Sequence, residues 1–446
     1  MATVQKNILF SIEWMHVWKD KINASDAYRS SGKNWNEPLV LRFKDGLQVN
    51  GDLIEGFWLD LKKGICAEIR YATKEDVSKT HVVLSASNEV WERLIKEKKD
   101  PLFLLMQGGL KLEKGSLLKL TSERASAKAL LEAASEANET MQANSEPSPK
   151  EEKIEDSITS KSLSPQISKR TSLASTRRGL DLDSFPMQLF QRAKQLGVWD
   201  PAAISFETDA KQWQAFSDLE KRVLLHLTSM FIAGEEAVTL DLLPLIQTVA
   251  GEGRIEEEIY LTSFLWEEAK HTEFFALFLD KVVKADPMLE EFHGEAYKRL
   301  FYDALHEALE RLKFDQSPES QLIASITYNM IVEGTLAETG YEAYYNMLTE
   351  NDMLPGLREG IGLLKRDESR HIAFGLYFIK RLLNEHPHLG TTLENETGRL
   401  IEMALEVVNE IFEPYEVMPF GLEKEWYINY ATTQFSKRMR KLLDTE

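Results

Sequence analysis

The pattern of apolar and polar positions changes character partway along the chain. In the first part, apolar residues come in short runs with a period near two. Leu39-Val-Leu-Arg-Phe43, Leu53 to Leu61, Ile65 to Tyr71 and His81 to Leu84 are rich in β-branched and aromatic side chains, which predicts strands. Lys44-Asp45-Gly46 suits a turn between the first two. Asn88 to Lys98 reads as a helix with Val90, Trp91, Leu94 and Ile95 on one face. Pro101 to Met106 is a short apolar segment before Gly108-Gly109. Leu110 to Glu113 and Leu117 to Leu120 predict a closing hairpin, and Ser122 to Ala137 an alanine-rich helix. Residues 1–137 therefore read as an α+β domain.

Past residue 179 the period lengthens to three or four. Helices are predicted at about 217–243, 255–284, 292–313, 317–349, 355–385, 391–412 and 422–443. Pro287, Pro318, Pro355 and Pro387 fall in the gaps, where helix breakers belong. Long helices with short connections pack best as an antiparallel bundle, so residues 179–446 predict an all-α domain. Between the two bodies, residues 138–178 follow neither pattern. The stretch from 140 holds nine serines, three prolines and no aromatic residue. It cannot bury enough apolar surface to offset its chain entropy and reads as a flexible linker.

Charge sharpens this division. The chain of 446 residues carries a formal charge of −19. Residues 1–139 are nearly neutral at +1, residues 140–178 stand at +2, and residues 179–446 hold −22. Such acidity speaks against a nucleic-acid partner, whose phosphates need clustered Lys and Arg. A single cysteine, Cys66, excludes intrachain disulfides, cysteine-based zinc sites and iron–sulfur clusters. A protein-bound metal must then use carboxylates and imidazoles. No uninterrupted apolar run reaches about 18 residues, so no transmembrane helix is expected. The first residues lack a basic-then-apolar signal, and a cytoplasmic location is expected.

Five of the nine histidines have a Glu three residues before them, a spacing that puts both side chains on one helix face. Context separates the pairs. Pro387 interrupts Glu385/His388, Glu290/His293 sits at a helix start, and Glu13/His16 has no companion carboxylates in an apolar setting. Glu268/His271 and Glu368/His371 lie in the middle of long helices. Each also has a Glu upstream in an apolar segment: Glu235, 33 residues before Glu268, and Glu333, 35 residues before Glu368. Two such helix pairs facing each other would place four carboxylates and two imidazoles in a bundle core. Ionised carboxylates there are costly without a cation. A Glu from each of two helices and Glu-x-x-His from two others is the ligand set of a dinuclear carboxylate site. Hard oxygen donors with one imidazole per metal suit iron or manganese.

On these residues, 180 to about 440 resembles the ribonucleotide reductase small-subunit superfamily, which is ferritin-like, and more narrowly its ligand-binding oxidase branch. In that branch the first ligand is Glu, matched by Glu235, where reductase subunits more often have Asp. The other ligands map to Glu268, His271, Glu333, Glu368 and His371. The resemblance implies one Mn and one Fe, with Fe/Fe as the alternative. It also implies a tyrosine–valine ether link beside the metals. Val238, three residues after the first ligand, and Tyr328, five before Glu333, match its partners. Where many reductase subunits have the radical-bearing tyrosine, this chain has Phe275.

Residues 1 to about 135 resemble the sterol-carrier-protein-like lipid-binding domains, through the alternating strands, Ser85 to Lys98 with Trp91, and Pro101-Leu-Phe-Leu-Leu-Met-Gln-Gly-Gly-Leu-Lys-Leu112. Trp58, Trp91, Phe103 and Met106 would equally serve as ordinary core. Together the resemblances imply an O2-activating Mn/Fe oxidase that binds a long-chain fatty acid at its metals, performs two-electron oxidation of a lipid or other apolar substrate, and forms a homodimer. The alternatives are a reductase small subunit storing a radical for a large subunit, a non-catalytic lipid carrier, and a fatty-acyl desaturase.

Overall fold

A computed structural model describes residues 9–49, 52–143, 173–284 and 288–443. The chain divides into two compact units, Met1–Gly179 and Leu180–Glu446. The predicted linker lies largely outside the described residues, while the helix preceding it, Arg124–Ala143, runs several residues beyond the expected end.

The first unit is built on a five-stranded sheet: β1 Pro38–Val49, β2 Asp52–Lys62, β3 Ile65–Tyr71, β4 Val82–Ala86 and β5 Lys111–Lys114. The order across the sheet is β3-β2-β1-β4-β5. β1 and β4 are parallel, and the other pairs antiparallel. Helices Ile12–Ala24, Asn88–Glu97 and Arg124–Ala143 contribute to the core on one face. Trp14 and Trp18 of the first helix pack 4.9 Å apart, and Trp14 meets Phe57 of β2 at 5.7 Å. Trp91, Phe103 and Met106 are buried as core residues, while Trp58 is half-buried under Arg70, whose guanidinium sits 4.2 Å from its ring.

Three readings of this unit change. Lys44-Asp45-Gly46, expected as a turn, lies inside β1, where the pairing with β2 shifts register between Arg42 and Leu47. Leu117–Ser122 is a helix, not the second strand of a closing hairpin. Ser116 accepts from the Lys119 N–H, and this N-cap starts a helix where a turn was expected. Pro101–Gln107, an apolar segment in the sequence, is also helical. Asp100 caps it, and Pro101 fits its first position, where no N–H is needed.

Among its described residues the second unit holds helices and no strand, an α-helical bundle as expected. Its long helices include Asp218–Asp241, Ile255–Phe278, Pro355–Glu385, Gly390–Phe412 and Lys424–Leu443. Phe185–Leu196 and Glu207–Ala215 are further helices that the sequence pattern had not marked. Asp218–Asp241 begins with a capping box between Ser217 and Glu220. Pro355–Glu385 begins with Pro355, and buried Asp209 accepts from the Gly356 and Leu357 N–H groups at 3.0 and 2.8 Å. The predicted helix 317–349 is three pieces: Pro318–Ser325, a π-helical stretch Ile326–Ala337, and Glu338–Glu350. By length and composition, Asp218–Gly251 could span a membrane, since it holds an 18-residue window of mean hydropathy 1.3, half of which is buried inside the protein. Glu235 and Glu236 interrupt its apolar run, and it serves here as a core helix.

Candidate metal centre

Four stretches of the bundle bring the predicted ligands together. Glu235 comes from Asp218–Asp241, Glu268 and His271 from Ile255–Phe278, Glu333 from the π-helical stretch, and Glu368 and His371 from Pro355–Glu385. All six are buried. They form two overlapping groups, Glu235/Glu268/His271/Glu368 and Glu268/Glu333/Glu368/His371, in each of which one atom per residue lies within 4.8 Å of the others. Glu268 and Glu368 belong to both.

The two imidazoles are arranged alike. His271 Nδ1 faces Glu235, Glu268 and Glu368 at 3.4, 3.5 and 3.3 Å. His371 Nδ1 faces Glu268, Glu368 and Glu333 at 2.9, 3.4 and 3.8 Å. Yet His271 Nδ1, His371 Nδ1, Glu333 Oε1 and Glu368 Oε2 are buried without a hydrogen-bond partner. Orphaned buried polar atoms are rare and costly. Here they converge on two points, each offered carboxylate oxygens and one imidazole nitrogen. The donor set fits two first-row metal ions of the iron and manganese kind.

Without a cation the electrostatics are strained. Burial pushes Glu235 up to about 8, with His271 pulling the other way. Glu333 is also held well above the usual carboxylate range, by burial and then by Glu368. Burial works against charge on Glu268, but His371 and His271 outweigh it and hold it low. Burial also opposes charge on the imidazoles, and the surrounding carboxylates overcome it, Glu235 leading for His271 and Glu368 for His371.

The outward nitrogens are held by carboxylates in turn. His271 Nε2 lies 3.4 Å from Asp367, and His371 Nε2 lies 2.9 Å from Glu267. Such partners fix imidazole orientation and raise ligand basicity. Trp199 Nε1 donates to Asp367 at 2.7 Å, and Lys270 sits 4.4 Å from the rings of both Trp199 and Trp266. Asn329 donates to Glu333 at 3.0 Å and Tyr341 to Glu235 at 2.9 Å. The sequence reading missed Glu267, Asp367, Asn329, Tyr341 and Trp199. A signal existed for the first two. Glu267-Glu-Ala-Lys-His271 and Asp367-Glu-Ser-Arg-His371 repeat one order, acid, Glu, small residue, base, His.

Tyr328 is fully buried, and its hydroxyl donates to Glu268 at 3.3 Å. Burial, and after it Glu268, holds its hydroxyl well above the usual value. Val238 is buried one turn beyond Glu235 and lines a pocket with Glu235, Glu268, Glu333 and Glu368. That pocket encloses about 890 Å³ of space between atoms, its opening included. Away from the carboxylates its walls are nearly all apolar, from Phe231, Phe301, Val407 and Phe412 among others. Phe275, at the position of the reductase tyrosine, is buried and stacks on Phe231 with ring centroids 5.5 Å apart.

Residues 188–442, more than half of the chain, match the family model of the ribonucleotide reductase small chain. Residues 26–121 match the SCP-2 sterol transfer family. Among solved structures, one match is an R2-like ligand-binding oxidase with a tyrosine-to-phenylalanine substitution and an anaerobically reconstituted Mn/Fe cofactor. It is 35% identical with a TM-score of 0.60, and the match covers 61% of this chain and 99% of that one. A second R2-like ligand-binding oxidase, with alanine replaced by phenylalanine and the same cofactor, is 36% identical with a TM-score of 0.60, covering 61% and 98%. The chain belongs to the R2-like ligand-binding oxidases of the ribonucleotide reductase small-chain family. A third oxidase of this kind, with glutamate replaced by aspartate and an aerobically reconstituted Mn/Fe cofactor, is 35% identical with a TM-score of 0.59, covering 61% and 99%. These matches leave the N-terminal unit over as an addition to the oxidase fold, and the sterol-transfer match falls within it.

Proposed function

We propose that the helical unit is a Mn/Fe oxidase that uses dioxygen, links Tyr328 to Val238, and takes the carboxylate end of a long-chain fatty acid at its metals. The carrying observation is the set of orphaned ligand atoms at the polar end of an apolar pocket. Glu235, Glu268, His271 and Glu368 would hold one ion, and Glu268, Glu333, Glu368 and His371 the other. Bound there, the pair supplies the electrons that activate dioxygen. The chain's own part is to position the ions, exclude water and offer the two side chains to be joined.

Closing the link removes one hydrogen from the Tyr328 hydroxyl and one from Val238 Cβ and forms a single O–C bond. The two electrons and two protons pass to dioxygen. Tyr328 starts as a neutral phenol, held so by burial, and Glu268 beside it accepts its hydrogen bond. The apolar walls keep water and stray reductants from the centre.

Among the residues lining the pocket there is no Lys, Arg or His. A fatty-acid carboxylate would therefore find its counter-charge only in the metals, while its chain lies against Phe231, Phe301 and Phe412. Two-electron oxidation of a lipid or similar apolar compound is the reaction this arrangement favours. The N-terminal unit would bind and present such a lipid, with the intervening segment raising its effective concentration.

Two measurements on the full chain test this reading. After aerobic reconstitution with both metals, anomalous scattering is expected to find one ion in each half of the centre. Intact mass is expected to fall by two hydrogens, with the loss mapping to peptides containing Val238 and Tyr328. Val238→Ala and Tyr328→Phe should each abolish the mass loss and keep both ions. An empty centre, or an unchanged wild-type mass, would sink the proposal.

A further inference from the structure

The two halves of the centre are braced from behind by crossed contacts. His271 lies on Ile255–Phe278, and its outward nitrogen faces Asp367 on Pro355–Glu385. His371 lies on Pro355–Glu385, and its outward nitrogen faces Glu267 on Ile255–Phe278. Each helix thus orients the imidazole of the other. One guanidinium joins the two contacts. Arg370 Nη2 lies 2.5 Å from Glu267 Oε1 and 2.6 Å from Asp367 Oδ1. Its Nη1 donates to the Arg366 carbonyl at 3.0 Å, which fixes the plane of the group. Glu267 and Asp367 are fully buried, and the Arg370 side chain is 5% exposed.

The brace is not symmetric. Asp367 also receives Lys270 Nζ at 3.2 Å and Trp199 Nε1 at 2.7 Å. Lys270 itself donates to the Gly197 carbonyl at 2.5 Å. Lys270 therefore acts on the carboxylate behind His271, whereas Arg370 acts on the carboxylates behind both histidines. A planar guanidinium can direct hydrogen bonds to two carboxylates in fixed geometry, whereas an ammonium is a point charge on a flexible stem.

We propose that Arg370 is a positioning residue for both metal ions at once, coupling the two halves of the centre by setting both imidazoles through Glu267 and Asp367, while Lys270 positions the His271 half alone. This rests on the dinuclear reading above. A merely structural Arg370 would neutralise buried charge, and its loss would lower stability without changing how the metals are held.

The test uses metal-depleted full-length protein titrated with Mn(II) alone, with free Mn(II) read by its EPR signal. Co(II) absorption reports ligand geometry, and anomalous difference maps assign each ion to its half. Wild type is expected to bind two ions. Partners of metal-ligating histidines are commonly worth about 10- to 100-fold in affinity. Arg370→Lys is expected to weaken both halves by that order and to change the Co(II) spectrum. Lys270→Met is expected to weaken the His271 half only, and Glu267→Gln the His371 half only. Should Arg370→Lys fail to fold, Glu267→Gln with Arg370→Gln is compared with Glu267→Gln alone. Added loss in the His271 half is then expected, because Asp367 has lost its guanidinium. Wild-type affinity and spectrum in Arg370→Lys, or no added loss in the double variant, overturns the proposal. A wild type that binds no ions overturns the dinuclear reading itself, and the proposal with it.

Discussion

Gly197 shows how closely the back of the centre is packed. A Cβ built there would fall 2.0 Å from Glu267 Oε1, 2.8 Å from the Ala193 carbonyl and 3.0 Å from Arg370 Nη2. Gly197→Ala must displace the carboxylate that orients His371. Overpacking of this kind costs about 1–3 kcal/mol. Urea unfolding of the metal-free protein is expected to show that loss, and the His371 half should bind its ion more weakly than in wild type. A variant of wild-type stability and affinity would mean that Glu267 can move freely. Four of the six candidate ligands could be read from spacing, since Glu-x-x-His puts two donors on one helix face wherever the helix goes, and Glu235 and Glu333 from their place in apolar segments upstream. Tyr341, Asn329, Trp199 and Asp209 could not. Tyr341, Trp199 and Asp209 act across the bundle, at sequence separations of 106, 168 and 147 residues from their partners, whereas Asn329 serves Glu333 from four residues away in the same π-helical stretch, whose widened turn the sequence pattern did not show.

The π-helical stretch Ile326–Ala337 carries both Tyr328 and Glu333. Its wider turn changes which side chains share a face, and π-bulges often mark functional sites. Deleting Ile331 should let the segment relax toward an ordinary α-helix. One residue in an α-helix is about 100° of rotation, since a turn takes 3.6 residues. Glu333 and Tyr328 could then no longer both face the centre. Far-UV circular dichroism should keep its helical signal, while the His371 half loses its ion and the mass loss of two hydrogens disappears. Retention of both ions would show that the widened turn is dispensable. The sequence pattern gave a single helix over 317–349 here. Every residue from Ile326 to Thr335 is buried, so no polar face exists from which a period could be read. Leu117–Ser122 failed for a different reason. Leu-Leu-Lys-Leu fits a strand as well as a helix at that length, and the Ser116 cap decided it.

At the scale of the whole molecule, all six candidate ligands, Glu267, Asp367, Arg370 and the pocket residues lie within Leu180–Glu446. That unit produced alone is expected to bind two metal ions with the affinity of the full chain, by the same Mn(II) titration. Loss of binding would mean that the N-terminal unit is needed to form the centre.

The metal-free chain should also respond to pH in one direction. Glu235, ordinarily near 4.5, stands at about 8 when folded. Between those values the folded state holds a proton that the unfolded chain has released, so stability falls as pH rises. His271 and His371, also raised, add to the fall above their ordinary 6.5. Glu268, held low, is ionised in both states across this range and adds no slope. The melting temperature of the metal-free protein is expected to drop from about pH 5 to about pH 8. Metal binding must displace these protons, so affinity should rise over the same range, with protons released on titration. A flat melting profile would contradict the electrostatics described for the empty centre.

The sequence by itself determined the two-body organisation and the α+β and all-α character of the bodies, and it pointed to the six candidate donors. These depend on period, composition and local spacing, which are properties of neighbours along the chain. The tertiary structure decided what stands behind the donors. Crossed carboxylates, one guanidinium serving both, a widened helical turn and an apolar pocket ending at the candidate carboxylates all depend on which faces meet across the bundle. No local pattern specifies that, because the energy lies in contacts between residues that are, for the most part, about a hundred positions apart.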